Sequence, residues 1–192
     1  SYVATKISGK LLYISGQISM NDKGELIKGK LGKDLKTAWK TEVFAILDGI
    51  QTGDIFGSKR CDCGDQLHRA LSKIENAGAG IVVYLRQEGR GIGLVEKLKA
   101  YNLQDAGQDT YEANVNLGHP DDGRSFVPAV EIIRHLGIHK IKILTNNPDK
   151  VGAFDDLVDI DVVERVPLEV GFDAENKEYL EAKKIVKGHF FS

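Results

Sequence analysis

Cysteine is nearly absent from this chain, which has two in 192 residues, both in the triplet Cys61-Asp62-Cys63. A disulfide-stapled scaffold is therefore excluded, and a reducing compartment, the cytoplasm, is expected. Charge of either sign is not in excess, since 26 Lys and Arg face 28 Asp and Glu. A protein that mainly grips the nucleic-acid backbone is thus disfavoured. Because no apolar run approaches the roughly 20 residues that cross a bilayer, we expect no membrane partner either.

Short apolar runs and helical periodicity alternate along the chain from about Glu42. The runs 43–47, 81–85 and 141–144 have the length and composition of buried strands, and 161–163 adds another. Apolar residues at helical spacing predict helices over 62–76, 94–106, 129–136 and 174–186. This alternation predicts an α/β fold, in which a layered mixed sheet is flanked by helices.

The first forty residues have a different character. Residues 11–16 and 25–27 read as short strands, and the polar segment 21–24 between them reads as a hairpin turn. We therefore expect a short N-terminal β-hairpin segment over residues 1–40, followed by an α/β domain over residues 41–192.

Two polar loops, residues 86–93 and 145–150, directly follow predicted strands. These are the positions where α/β sheets bind ligands. After the strand at 81–85 comes Glu88-Gly89-Arg90-Gly91-Ile92-Gly93. Its glycines let backbone N–H groups approach an anion, and an arginine can bind phosphate in a fork geometry. The spacing is not a dinucleotide fingerprint. From these residues alone, a phosphate site and a flexible turn remain open.

Three further features could carry chemistry, and each also has a purely structural explanation. In an extended segment Cys61 and Cys63 point the same way and could meet one metal, or they are two reduced thiols. Asp122 beside Arg124 could activate a nucleophile, or the pair belongs to a solvated turn. Tyr101 falls on the apolar face of its helix, where a tyrosine is more often core than catalyst.

Together and in order, several segments resemble GTP cyclohydrolase II of riboflavin biosynthesis, over about residues 41–192. The blocks that carry the resemblance are 52–64, 84–94, 100–105, 109–114, 144–148 and 164–168. The resemblance implies a hydrolase that opens the imidazole ring of GTP. Formate and pyrophosphate leave, and a 2,5-diamino-6-ribosylamino-pyrimidinone 5'-phosphate remains. It also implies a homodimer, with GTP as its small-molecule partner.

The resemblance assigns roles to individual residues. Asp122 matches the family's proton acceptor, Arg124 its nucleophile toward the α-phosphate, and Tyr101 the tyrosine of ring opening. Cys61 and Cys63 match two zinc thiolates, and Mg²⁺ is expected on the departing pyrophosphate. The implied substrate-binding residues are Gln66, Glu88, Gly89, Arg90, Thr110, Thr145 and Lys150.

Residues 45–50 depart from the family pattern. Ile50 stands where the third zinc cysteine belongs, which leaves a second hypothesis open: a catalytically impaired relative that binds a purine nucleotide without a complete zinc site. Residues 1–40 resemble the start of a Rid (YjgF-type) protein. A natural fusion and a recombined chain explain that start equally well.

Overall fold

The structure, a computed structural model, describes residues 3–8, 11–16, 42–170 and 175–190. A short 3₁₀ turn spans Glu88–Gly91. The strands are β1 (Val3–Ser8), β2 (Leu11–Gly16), β3 (Glu42–Asp48), β4 (Gly80–Leu85), β5 (Lys140–Leu144) and β6 (Asp161–Val166). The helices are α1 (Gln51–Asp54), α2 (Cys63–Ala77), α3 (Leu94–Asp105), α4 (Thr110–Asn116), α5 (Val127–His135), α6 (Pro148–Gly152) and α7 (Lys177–Lys187).

The described strands form one sheet in the order β1-β2-β4-β3-β5-β6. β1 pairs with β2 antiparallel, and every other neighbouring pair is parallel. The mixed sheet flanked by helices is therefore confirmed. Asp48, the last residue of β3, lies opposite Leu85, the last residue of β4. Their following loops consequently leave the sheet at the same edge.

The central strands are buried on both faces, because each face is covered by helices. On one face Phe44, Ile46 and Val83 pack in a core that includes Ile133 of α5. On the other face Ala45, Leu47 and Val82 pack in a core that includes Ile74 of α2. Near-continuous apolar runs are what such doubly covered parallel strands require.

The four helices and the strands at 11–16, 43–47, 81–85 and 141–144 agree with the expectation from sequence, within a few residues. The strand at 161–163 extends to Val166. Residues 11–16 pair antiparallel with Val3–Ser8 and parallel with β4. The predicted turn at 21–24 and strand at 25–27 lie outside the described residues. In the part of the chain that the structure describes, no helix could span a bilayer. The division into residues 1–40 and 41–192 stays a prediction.

Candidate active site

A pocket opens at the sheet edge where β3 and β4 end. Asp48 comes from the end of β3, Arg90 from the turn after β4, and Lys97 and Tyr101 from α3. Helices thus close the pocket on the side that the sheet leaves open. The rest of its lining is Ile50, Arg60, Cys61, Cys63, Gln87, Gly89, Ala100, Gln104, Thr110, Asn114, Arg124 and Tyr179.

The described lining of the pocket carries more cations than anions. Its basic residues are Arg60, Arg90, Lys97 and Arg124, and Asp48 is acidic. From outside the lining, Asp105, Glu88 and Asp122 pair with Arg60, Lys97 and Arg124. Cations that converge on a concave site raise the local concentration of anions, so the lining favours an anionic ligand.

The glycine-rich turn after β4 holds Arg90 in an uncommon backbone conformation. Arg90 has a φ of 60°, and Gly89 and Gly91 beside it have φ of 62° and 92°. A Cβ at Gly91 would lie 3.0 Å from the carbonyl oxygen of Gly123, and the Gly123 N–H donates to the Arg90 carbonyl at 3.0 Å. The left-handed geometry costs a non-glycine residue about 1–3 kcal/mol and clusters at functional sites.

The Arg90 guanidinium is 8% exposed and only partly satisfied. Its Nη1 donates to Thr110 Oγ1 at 2.6 Å, and its plane lies over the Tyr111 ring at 4.3 Å. Its Nη2 has no hydrogen-bond partner among the described residues. A buried donor without a partner costs about 1–3 kcal/mol, so Arg90 is suited to receive a ligand oxygen.

A network of four charges lies beside Arg90. Arg124 donates through Nε and Nη2 to both oxygens of Asp122, at 2.9 and 2.6 Å. Its Nη1 donates to Asp48 Oδ2 at 2.8 Å, and Lys150 Nζ donates to the same oxygen at 2.9 Å. Burial lowers the pKa of Arg124, but Asp48 and Asp122 raise it, and the net shift is upward. Arg124 is therefore a cation in this state.

The same network predicts an acid dependence of stability. Burial raises the pKa of Asp48, but Lys150 and Arg124 lower it, and the net pKa lies below the ordinary value. Its ionised pairs thus stabilise the fold above about pH 4, and that contribution is lost as pH falls through the folded-state pKa. We expect Asp48→Asn to be less stable at pH 7 and to lose less stability between pH 4 and pH 3. Urea unfolding at both pH values measures this, and parallel pH dependences would contradict it.

Tyr101 lies on the wall of the pocket rather than in the apolar core. Its hydroxyl is buried and has no partner among the described residues. The Arg60 guanidinium covers its ring at 4.2 Å, and Lys97 Nζ lies 5.4 Å from the ring centroid. The phenol is therefore held beside two cations, with a free donor and acceptor at its end.

Both cysteines reach the pocket because α1 and the start of α2 pack closely at glycines. A Cβ at Gly64 would lie 2.7 Å from the Gly53 carbonyl oxygen, so neither helix could approach as closely with a larger residue there. The hydrogen bond with Cys63 lowers the pKa of the Cys61 thiol to about 7. The pKa of Cys63 is raised well above its ordinary value by that same bond and by burial.

The residues around the two thiols do not fit the zinc site that the resemblance implies. Ile50 lines the pocket with Cys61 and Cys63. The described residues contain no group of three or more His, Cys, Asp or Glu side chains able to hold a metal. Asp48 is bound to two cations, and Asp54 accepts from Ile50 N and the Tyr84 hydroxyl. Catalytic zinc takes three protein ligands plus water, and two thiols fall short of that.

The predicted substrate-binding residues divide into two groups. Gly89, Arg90 and Thr110 line the pocket, whereas the other four lie behind its wall. The side chain of Gln66 bonds Asp62, and that of Lys150 bonds Asp48. Glu88 accepts from Lys97 and from the Gln51 N–H. Thr145 accepts from the Asn147 N–H. Glu88 therefore holds Lys97, at 2.7 Å, in this state of the protein.

Sequence reasoning missed Arg60, Lys97 and Tyr179 as lining residues. Lys97 precedes Tyr101 by four positions on α3, so it shares the face that carries the tyrosine. That spacing was a usable signal. Tyr179 comes from α7, and nothing in its local sequence indicates that α7 closes this pocket.

The fold and the pocket define an α/β protein with a basic pocket at the carboxyl edge of its parallel strands. Comparison with known proteins narrows this class. A sequence profile described as GTP cyclohydrolase II matches residues 46–167. GTP cyclohydrolase-2 of Neisseria meningitidis is 55% identical over 141 residues, which cover 73% of this chain and 71% of that protein.

Two longer relatives align over more of the chain. Riboflavin biosynthesis protein RibBA of Bacillus cytotoxicus is 50% identical over 167 residues, 87% of this chain and 41% of that protein. The protein of that name from Parabacteroides distasonis is 47% identical over 165 residues, 85% of this chain and 39% of that protein. The chain belongs to the GTP cyclohydrolase II family, and it is a hydrolase of riboflavin biosynthesis. The resemblance found in the sequence is thereby confirmed.

Proposed function

We propose that the pocket at the ends of β3 and β4 binds GTP and presents it for ring opening. The products are formate, pyrophosphate and 2,5-diamino-6-ribosylamino-pyrimidinone 5'-phosphate. The observation that carries this proposal is the convergence of Arg90, Arg124 and Tyr101 on one pocket of a GTP cyclohydrolase II-family fold. Each has a guanidinium or phenol suited to hydrogen-bond a nucleotide.

The phosphate groups are assigned to the guanidinium groups. Arg90 offers a buried donor with no protein partner, and Arg124 offers a cation whose position is fixed by Asp122. Arginine binds phosphate oxygens in a fork geometry and keeps its charge in a buried site. The raised pKa of Arg124 supports an anchoring role in this state. Its expected role as a nucleophile assisted by Asp122 stays a prediction, because the guanidinium must first lose a proton.

Tyr101 is assigned to the purine, because it lines the pocket and its buried hydroxyl has no hydrogen-bond partner among the described residues. A phenol held by two cations can donate a hydrogen bond to the base or move a proton there. Zinc would supply a water of lowered pKa, but the two thiols and Ile50 do not fit it, so no step is assigned to a metal. Magnesium on the pyrophosphate remains a prediction.

Turnover tests the proposal directly. Incubation with GTP and Mg²⁺ is expected to release formate and to produce the absorbance of the pyrimidine. Equilibrium dialysis with GTP runs in parallel on the same preparation. Bound GTP without formate or pyrimidine would contradict ring opening and establish the second candidate, a nucleotide-binding relative, which Ile50 beside Cys61 and Cys63 favours.

Arg90→Met is expected to weaken GTP binding by about 10- to 100-fold, because it removes a charge-assisted pair of donors worth about 1.5–3 kcal/mol. Isothermal titration calorimetry measures the change. Arg134→Met is the matched control, because Arg134 is exposed and pairs with Glu131 and Asp159 far from the pocket. Equal affinities of the two variants would contradict the assignment of Arg90.

Assembly and location are also part of the proposal. We expect a homodimer in the cytoplasm, on the support of the family resemblance and of the scarcity of cysteine. The near-neutral charge supports a small-molecule partner over a nucleic acid. Light scattering after gel filtration measures the mass, and a single species of monomer mass would contradict the dimer.

A further inference from the structure

We propose that Asp48 is a specificity-determining residue that weakens the binding of phosphate in this pocket. Its carboxylate is already paired with two cations, Lys150 and Arg124. A phosphate group of the ligand would otherwise bind to these two side chains. The inference rests on the proposed function, because it takes the pocket to receive a phosphorylated ligand.

The first observation is the geometry of the carboxylate. One oxygen of Asp48, Oδ2, accepts from both Lys150 Nζ and Arg124 Nη1, at 2.9 and 2.8 Å. A phosphate oxygen bridges an ammonium and a guanidinium with the same contacts and distances. Asp48 thus takes the place that an anionic ligand would take on these two side chains.

The second observation is the position of the pair. Asp48 and Arg124 both line the pocket, and their side chains are each 11% exposed. The contact between Asp48 and Arg124 therefore borders the pocket, and Lys150 lies behind it with its side chain 7% exposed. The chain path explains the position of Asp48, because this residue ends β3 at the sheet edge where the glycine-rich turn after β4 also begins.

The third observation is that two buried polar atoms of the pocket lack hydrogen-bond partners. Asp48 Oδ1 and Arg90 Nη2 are buried, and neither has a hydrogen-bond partner among the described residues. A purely structural buried carboxylate is normally hydrogen-bonded through both oxygens. The unpartnered Arg90 donor is available to a phosphate oxygen, whereas the unpartnered Asp48 oxygen can only repel one.

Repulsion supplies the physical consequence. Two unit charges of like sign about 4 Å apart repel by about 1–4 kcal/mol over the range from bulk water to a protein surface. A phosphate that approaches Lys150 and Arg124 must therefore displace the Asp48 carboxylate, protonate it or bind beside it. Each route lowers affinity, so the neutral isostere Asp48→Asn is expected to bind phosphate more tightly.

Inorganic pyrophosphate is the probe, measured by calorimetry at pH 6.5 in 0.15 M salt. We expect Asp48→Asn to bind it at least about 10-fold more tightly than the wild type, which corresponds to about 1.4 kcal/mol. Asp48→Glu keeps the charge and should stay within about threefold of the wild type. Asp159→Asn also removes a carboxylate, but from a surface pair with Arg134, and should change nothing. Adding Lys150→Met to Asp48→Asn should abolish the gain.

The outcomes separate this inference from the proposed function. Equal or weaker binding by Asp48→Asn, with wild-type binding intact, would overturn the role of Asp48 alone. No pyrophosphate binding by any folded variant would overturn the phosphate site of the proposed function as well. Should Asp48→Asn fail to fold, the wild type gives the answer. Sulfate keeps its charge between pH 6.5 and pH 3.5, so its affinity for the folded wild type is expected to rise as protonation of Asp48 becomes easier at low pH. An affinity that does not rise over that range overturns the proposal.

Discussion

Ile50→Cys is expected to raise bound zinc from well below one to about one ion per chain. The side chain of Ile50 lies in the same pocket wall as Cys61 and Cys63, and its backbone N–H is fixed by Asp54 Oδ2 at 2.8 Å. A thiolate from that backbone position would supply the third ligand that zinc needs to keep a water in its fourth place. We expect zinc affinity to rise by at least about 100-fold, or about 2.8 kcal/mol.

Metal analysis after gel filtration measures the zinc content of the purified variants. Ile138→Cys is the matched control, because it adds a third cysteine at a buried position in the core around β5 and α5. Its zinc content should equal that of the wild type. Adding Cys61→Ser to Ile50→Cys should remove the gain. An unchanged zinc content in folded Ile50→Cys would show that the backbone at residue 50 does not aim a side chain at the thiols.

Lys183→Met is expected to lower the free energy of unfolding by about 3–5 kcal/mol, since it leaves a buried carboxylate without its cation. Lys183 Nζ donates to Asp62 Oδ1 at 2.6 Å, and the two side chains are 8% and 2% exposed. Asp62 precedes α2 between the two cysteines, while Lys183 lies on α7. The pair therefore attaches the closing helix to the pocket wall.

Urea unfolding at pH 7 measures the loss, and the same helix supplies a control. Lys177 also lies on α7, but its side chain is 70% exposed and lies 3.9 Å from Glu181. Lys177→Met should cost at most about 0.5 kcal/mol, as exposed helical pairs do. Combining Asp62→Asn with Lys183→Met should restore part of the stability. A loss as small as that of Lys177→Met would mean that the Asp62 carboxylate finds another partner.

The short segment 61–63 has two structural roles: it lines the pocket and it contacts α7. In residues 61–63 the cysteines face the pocket, while Asp62 between them faces α7. The backbone here is not the extended segment expected from sequence, because Asp62 is the N-cap of α2, with φ of −89° and ψ of 10°, and Cys63 is the first residue of that helix. A substitution at Asp62 would therefore disturb the position of both thiols as well as the contact with α7.

Several features of the fold were readable because their signals are local. Apolar runs of five and four residues are sufficient to indicate β4 and β5, and apolar residues at helical spacing indicate α3. The short helices α1, α4 and α6 were not predicted. For α4 the signal was present, because Asp109 and Glu112 form a capping box at its start. Helices α1 and α6 have four and five residues, which is too few to show a periodicity.

Nonlocal contacts explain why some site residues were missed. They also explain why others have neighbours that the sequence did not indicate. Glu88 and Lys97 are nine positions apart, and only the turn after β4 brings them to 2.7 Å. Tyr179 lines the pocket from α7, a helix that also makes the buried contact of Lys183 with Asp62. Asp48 meets Lys150 from more than a hundred positions away, so no window of sequence contains the pair.

By itself the sequence determined the class of fold and the family, and the resemblance puts Ile50 where the third zinc cysteine of that family is expected. These depend on residue type and order, which local periodicity and motif spacing record directly. Only the tertiary structure decided that Ile50 shares a pocket wall with both thiols and that Asp48 occupies the cations of that pocket. The physical reason is that charge pairing and ligand geometry act over a few ångströms in space, and parallel strands bring together side chains that are far apart in the chain.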